Sequence, residues 1–323
     1  MRAQSPEEVE DDANFRRCVE YVHAHAAGLA EGVYGPDSVA WLMYREPATL
    51  LAGHAAVLMQ MAHPAIAAGV GQHSTFRTDV LGRARATSAA LYQLVFGTLD
   101  ESLAVTRRLY NIHCRVRGRV EDQGVPGAGE RYRANAQPLL QWVSVTTTVA
   151  GTQAFEAFIR PLTRAEKDRS YRETLTAQAT VGVLPETLPP TWEAFERWYD
   201  DALTSRDLAV GETARGIADA LFRNPVLLGP MERVLTVGFL PPAWREAYGF
   251  RWNRAREREF ELVVGTIRRT VALAPEPYRY TVAWHQAQMR LQRARGETPS
   301  RWARVLNRVS RQWALPTALK RAA

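Results

Sequence analysis

Residues 62–118 gather side chains suited to metal or acid–base chemistry: His63, His73, His113, Arg77, Arg83 and Asp79. His113 follows Leu109 by four residues and precedes Val116 by three, which puts it at the edge of an apolar helical stripe. Two roles are open to it. It is either a core-edge imidazole satisfied by a carbonyl, or an axial ligand to a metal or haem iron. A helix-borne imidazole among apolar neighbours gives one strong nitrogen donor in a low-dielectric pocket. Arg83, Ala86 and Thr87 share a helix face. A guanidinium and a hydroxyl there can hold an anionic propionate or polarise bound oxygen. The plainer alternative is a surface arginine and a threonine bonded back to its own helix. His63 and His73 are ten residues apart across a proline and match no HExxH spacing. A capping or loop hydrogen bond is the simpler reading for both. Arg77 and Asp79 are close enough to pair with each other or with Arg83.

These groups need helices to position them. Residues 48–62 read as a helix that is apolar on nearly every face, which places it centrally. Pro47 suits its first turn, and His63-Pro64 ends or kinks it. A short apolar helical piece is expected over 65–70. Asp79 is an N-cap for a helix over 80–96, which Gly97 closes. Thr98 and Glu101 form a capping box for the next helix, expected to run to Val116 with Val105, Leu109, Ile112 and Val116 as its stripe. Residues 119–131, with Gly124, Pro126, Gly127 and Gly129, read as a loop. A long helix follows from Asn135, although the Val and Thr run over 143–149 favours strand locally. Thr163 and Glu166 make a second capping box. Shorter helices are expected over 215–222, 232–237 and 241–248, and a longer amphipathic one over 254–273.

The expected architecture is all-α, in one domain. Residues 1–12 read as a mobile acidic tail, 13–297 as the helical body and 298–323 as a basic amphipathic tail. The chain has 323 residues and 46% hydrophobic content, enough for a sizeable core. With only Cys18 and Cys114 there is no disulfide framework and no CxxC zinc signature. No apolar leader follows the N-terminus, and a cytoplasmic location is expected. Residues 50–70 approach the length of a membrane span, but His54, Gln60, His63 and Pro64 fit a buried helix better. The net charge is +7, and Arg301, Arg304, Arg308, Arg311, Lys320 and Arg321 lie in a C-terminal stretch without acids. The body is therefore near neutral, which argues against a nucleic-acid-binding face. Trp302, Val305, Leu306, Val309 and Trp313 share one helical face, an arrangement suited to an anionic membrane surface or to docking on the body. The hydrolase GxSxG and dinucleotide GxGxxG signals are absent.

Several ordered blocks resemble one family. They are Arg45-Glu46-Pro47, residues 62–79, Gly82 through Thr87, Asn111 through Gly118, and Tyr132 through Val143. The resemblance continues through Arg160-Pro161-Leu162, Leu184-Pro185 and Leu240-Pro241, and covers about residues 32–275. The sequence looks like the rubber oxygenases (latex-clearing proteins) and the mycophenolic-acid-pathway oxygenase. That resemblance implies an all-α fold binding haem b, with His113 as proximal iron ligand and Arg83 and Thr87 beside the haem. His73, Arg77 and Asp79 would support them. It further implies dioxygen as co-substrate and a small apolar, isoprenoid or aromatic metabolite as substrate. A haem protein that senses or stores is the alternative reading. Two positions depart from the family pattern. Ala86 stands where rubber-cleaving members carry a lysine that can reach the distal iron site, and Ser144 stands where many relatives carry histidine.

Overall fold

In the computed structural model, residues 5–74, 79–223 and 229–299 are described. The fold is all-α, as expected, and α7 (Gln137–Phe158) is its axis. Thirteen of its 22 residues are buried, so every face of it meets another element. Leu139, Trp142, Ala150, Ala154 and Phe158 face the main core with α3 (Gly53–Met61), α4 (Pro64–His73), α10 (Glu212–Arg223), α11 (Pro230–Phe239) and α12 (Pro242–Ala247). Val145 and Val149 pack on Tyr171 of α8 (Arg164–Thr180) and on Trp192 and Phe195 of α9 (Trp192–Leu203). Phe155 reaches Val39 and Met43 of α2 (Val39–Tyr44). The β-branched run settles into helix because Thr146, Thr147 and Thr148 donate to the carbonyls of Trp142, Val143 and Ser144, at 2.8, 2.8 and 3.1 Å. Those bonds satisfy the hydroxyls inside a buried helix, where tertiary packing outweighs local strand preference.

The apolar segment ahead of it is broken rather than continuous. Pro47–Ala52 winds as a 3-10 turn, then α3 follows, and α4 leaves at 110°. His63 caps α4 by accepting from the Ala65 N–H, and Pro64 supplies the first helical residue. Among the described residues no single helix is long and apolar enough to cross a membrane. This bent pair passes that test by length and composition only, and it is largely buried.

Two expectations need correcting. Residues 6–12 are not a tail, because they open α1 (Pro6–His25), which a Ser5/Glu8 capping box starts. The expected loop over 119–131 begins and ends in a small antiparallel sheet, β1 (Arg117–Arg119) with β2 (Arg131–Arg133). Three-residue strands are too short to show alternation. Beyond residue 275, α14 (Glu276–Arg279) and α15 (Val282–Ala294) add a final layer on α2 and on α5 (Val80–Phe96). Helix α13 (Arg254–Leu273) lies where expected and packs Phe260, Val263, Val264, Ile267 and Val271 against the main core. The expected basic tail, apart from Thr298 and Pro299, lies outside the described residues.

The last layer is pinned at Glu46, which is 1% exposed. Arg279 Nε donates to its Oε2 at 2.8 Å, and Arg279 Nη2 lies 2.6 Å from Oε1. The Thr281 N–H also donates to the Arg45 carbonyl at 2.8 Å. Removing one partner strands a buried charge, whereas removing both does not. Arg279→Leu is therefore expected to lower the unfolding free energy by about 3 kcal/mol in urea titration. Glu46→Leu/Arg279→Leu should recover much of that loss. A single variant as stable as wild type would show that the pair does not anchor this layer.

Candidate functional site

Two consecutive helices form the jaws of the site. Asp79 Oδ1 accepts from the Gly82 N–H at 2.8 Å and starts α5. Gly97 ends α5, and the Thr98/Glu101 capping box starts α6 (Leu99–His113). A connection this short makes an αα-hairpin, in which residues equally far from the turn face each other. Arg83, fourteen before Gly97, thus falls opposite Ile112, fourteen after Thr98, with His113 next to it. The hairpin is packed at its turn, where Val95, Phe96, Leu99 and Leu103 are buried. It is open towards its tips. Between Val80 and Val95, α5 has no buried residue, and α6 has none after Thr106. The apolar stripe expected on α6 therefore fades. Val105 is buried, Leu109 and Val116 are half-buried, and Ile112 is 47% exposed.

His113 is the last residue of α6, and its ring is half-buried. Burial pulls its pKa below the ordinary histidine value, and the positive charge of Arg83 pulls the same way. A side-chain hydrogen bond with Asn135 opposes them. Arg83 itself remains reachable by water, yet enough protein surrounds it to lower its pKa by desolvation. The product is a neutral imidazole facing a guanidinium across an open wedge. A neutral imidazole can ligate a metal, and the guanidinium can bind a carboxylate.

Sequence reading missed Asn135, although it lies inside one of the quoted blocks. It is 6% exposed and follows β2, and its Nδ2 donates to Cys114 Sγ at 3.4 Å. No spacing rule could have found it, because the contact depends on β1 and β2 folding back. Helix α1 covers the same end of α6. Tyr110 stacks on Phe15 with ring centroids 4.1 Å apart, and its hydroxyl donates to Asp12. Arg117 pairs with Glu8 at 2.8 Å, and Arg133 with Glu10 and Asp11 at 3.2 and 3.3 Å.

The remaining expected site residues are placed as follows. Ala86 and Thr87 are exposed on α5 one turn beyond Arg83. Asp79 is exposed and serves as the cap of α5. His73 Nε2 lies 3.1 Å from the Arg117 carbonyl and so ties the end of α4 to β1. Arg77 lies outside the described residues. Ser144 is buried on α7. Among the described residues no three His, Cys, Asp or Glu side chains converge to hold a metal ion. A separate cavity of about 470 Å³ lies between α2, α8 and α15, lined by Asp37, Arg45, Glu166, Arg169 and Trp284 among others. Its charges are largely matched internally, since Arg169 bonds Glu173 and the Asp37 carbonyl while Arg160 bonds Glu166. It is a weaker candidate than the wedge at His113.

The all-α body agrees with a direct comparison of sequences. Residues 40–269 match the family described as ER-bound oxygenase mpaB/B'/rubber oxygenase, catalytic domain, and the chain belongs to that family. The family's type of activity is oxygenase chemistry, which uses dioxygen. Proteins of Mycobacterium bovis and Mycobacterium tuberculosis, both described as uncharacterized, are each 26% identical to the chain over 228 residues. The match covers 68% of this chain and 87% of each relative. No solved structure matches it.

His63 gives a pH test of the corner beneath the site. Burial lowers its pKa, against the charge of Asp207. Its Nδ1 must also stay unprotonated to accept from Ala65. The unfolded chain therefore binds the extra proton first as pH falls through about 6.5, and stability is lost in that direction. Unfolding free energy should drop from pH 7 to pH 5 more steeply in wild type than in His63→Asn, which keeps a cap acceptor without titrating. Equal slopes in denaturant titrations would show that His63 does not titrate against folding.

Proposed function

We propose that this chain is a haem b-dependent oxygenase acting on a small apolar, isoprenoid or aromatic metabolite, with His113 as the proximal ligand. The observation that carries the reading is the neutral, partly desolvated imidazole at the open end of the α5–α6 hairpin, facing Arg83.

The residues present fit the group. Haem brings four nitrogen ligands of its own and asks the protein for one strong donor, not for a cage of three. One imidazole at the site meets that need. Its lowered pKa leaves the ligating form dominant at neutral pH. Arg83 provides a positive charge of the kind that pairs with a propionate, in a setting where such a bond is strong. Ile112, next to His113, is an exposed apolar side chain, 47% accessible. An apolar macrocycle against it would remove that surface from water.

When bound, haem would supply iron-centred activation of dioxygen. The protein's share is placement. Helix α6 presents His113, and the Arg83 guanidinium orients the anionic edge of the cofactor. The Thr87 hydroxyl, one turn beyond Arg83, offers a hydrogen bond on the opposite jaw. Ala86 beside it puts a methyl group where rubber-cleaving relatives carry a lysine, which leaves room at that position for a small ligand and an apolar substrate.

Purified wild type is expected to show a b-type absorption spectrum with near-stoichiometric haem in the pyridine haemochrome assay. His113→Ala should lose or shift that spectrum. Arg83→Leu should keep the spectrum type and weaken haem binding about tenfold or more, the worth of a bond to a charged group. Protein that stays colourless when expressed with ample haem, and takes up none on titration, would overturn the reading. Oxygen consumption with candidate apolar substrates then separates turnover from mere haem binding.

A further inference from the structure

Arg45 and Glu46 are neighbours in sequence, yet they do not bond each other. Both Glu46 oxygens face Arg279, at 2.8 and 2.6 Å. Arg45 Nε is left 4.0 Å from Oε1, beyond hydrogen-bond distance. That nitrogen is shut off from water and has no hydrogen-bond partner among the described residues. A buried donor without an acceptor costs free energy, so a cation held this way calls for a reason. Arg45 is also fixed in orientation. Its guanidinium lies over the Tyr280 ring, 4.4 Å from the centroid. Stacking occupies the flat face of the group and leaves its edge, where the N–H bonds point, for an in-plane acceptor.

This side chain lines the cavity of about 470 Å³ between α2, α8 and α15. Each helix turns one face to it. Leu42 and Arg45 are three apart at the end of α2, Ala165 and Arg169 four apart on α8, and Trp284 and Gln288 four apart on α15. The volume falls in the small-molecule range of about 300–1,000 Å³. Most other polar groups of the lining already have partners. Ser38 Oγ donates to the Gly35 carbonyl and accepts from the Trp41 N–H. Trp41 Nε1 donates to the Val95 carbonyl. Arg169 bonds Glu173 and the Asp37 carbonyl, and Glu166 bonds Arg160. Asp37 is exposed, where water and salt screen its charge. What remains is one oriented cation beside aliphatic and aromatic walls, with the Gln288 amide one turn along α15 from Trp284.

We propose that this cavity binds a small organic carboxylate, with the carboxylate on the Arg45 guanidinium and an apolar body against Leu42 and Trp284. A carboxylate matches the guanidinium fork. Inorganic phosphate would match it too, but would leave the apolar wall wet, so the wall selects a ligand with a hydrocarbon body. The site involves neither His113 nor Arg83 and does not rest on the haem reading.

The test is isothermal titration of the full chain with phenylacetate as probe. Wild type is expected to bind it saturably, one per chain. The uncharged 2-phenylethanol and the bodiless inorganic phosphate should each bind about tenfold more weakly or worse. Arg45→Leu should lose about tenfold or more in affinity for phenylacetate. Arg45→Lys should fall between the two, because an ammonium keeps the charge without the fork. Arg83→Leu should bind as wild type does. No saturable signal up to about 10 mM probe would overturn the inference. So would phosphate binding as tightly as phenylacetate, which would make this a plain anion site. Loss of binding in Arg83→Leu rather than Arg45→Leu would place the probe at the His113 wedge and overturn it as well. If Arg45→Leu fails to fold, Gln288→Trp, which fills the cavity from α15 and leaves Arg45 in place, should abolish binding; undiminished binding there would overturn the inference.

Discussion

A helix hairpin sealed at its turn and unsealed at its tips cannot hold those tips by its own packing. Val95, Phe96, Leu99 and Leu103 fix the closed end of α5 and α6. Towards the other end, where Arg83 and His113 stand, neither helix has a buried stripe. A site placed there must be positioned by what lies behind each jaw. Behind α6 that support comes from three directions. Helix α1 stacks Phe15 on Tyr110, the β1–β2 ladder returns the chain beneath Cys114, and Asn135 reaches up from the start of α7. The ladder alone would be a poor support. It sets Arg117 opposite Arg133 and Arg119 opposite Arg131, and like charges facing across strands repel. Glu8, Glu10 and Asp11 of α1 offset the first pair directly. The acidic N-terminal segment and the arginine-rich hairpin are therefore two halves of one support.

The same division explains what the sequence makes visible. Caps are local: Asp79 with Gly82, Thr98 with Glu101, and Thr163 with Glu166 all close within three residues. Their helices were placed correctly from residue order alone. Contacts such as Glu46 with Arg279, 233 residues apart, leave no periodic trace. Nor does Asn135 on Cys114, which requires a two-strand ladder too short to announce itself. The acidic composition of residues 6–12 suggests solvation, and the structure uses it as a charge partner for arginines a hundred residues away. Periodicity marked Ile112 and Val116 as an apolar face without saying what covers it. In the fold Ile112 stays 47% exposed.

That last point bears on His113 directly. An imidazole on a well-packed stripe would be a core residue with both nitrogens satisfied by protein. Here the stripe opens just where the histidine sits, half-buried at the end of α6. Burial and a nearby guanidinium keep the ring neutral, and they do so without sealing it. Stability alone would favour closing this wedge with larger apolar side chains, since each exposed methylene of Ile112 forgoes about 0.8 kcal/mol of burial. The open wedge is thus a local departure from good packing, of the kind expected at a functional site.

The opposite jaw is defined by what it lacks. Family members that cleave rubber carry a lysine where this chain has Ala86, and that lysine can reach the iron. Ala86 and Thr87 are both exposed on α5, and a methyl group cannot span the gap to a partner held by α6. Arg83, one turn earlier, is the long cation left on that jaw close enough to act on His113 electrostatically. If that guanidinium is engaged by an anionic edge of the cofactor, no other basic side chain remains on the helix face shared by Arg83, Ala86 and Thr87, because Arg85 lies two residues from Arg83 and so on another face. On the proposed haem reading, the site would have one protein ligand and a side bounded by a short hydroxyl rather than an ammonium group. On the same reading, such a side would favour a ligand that brings little charge, in keeping with the small apolar metabolite proposed as substrate.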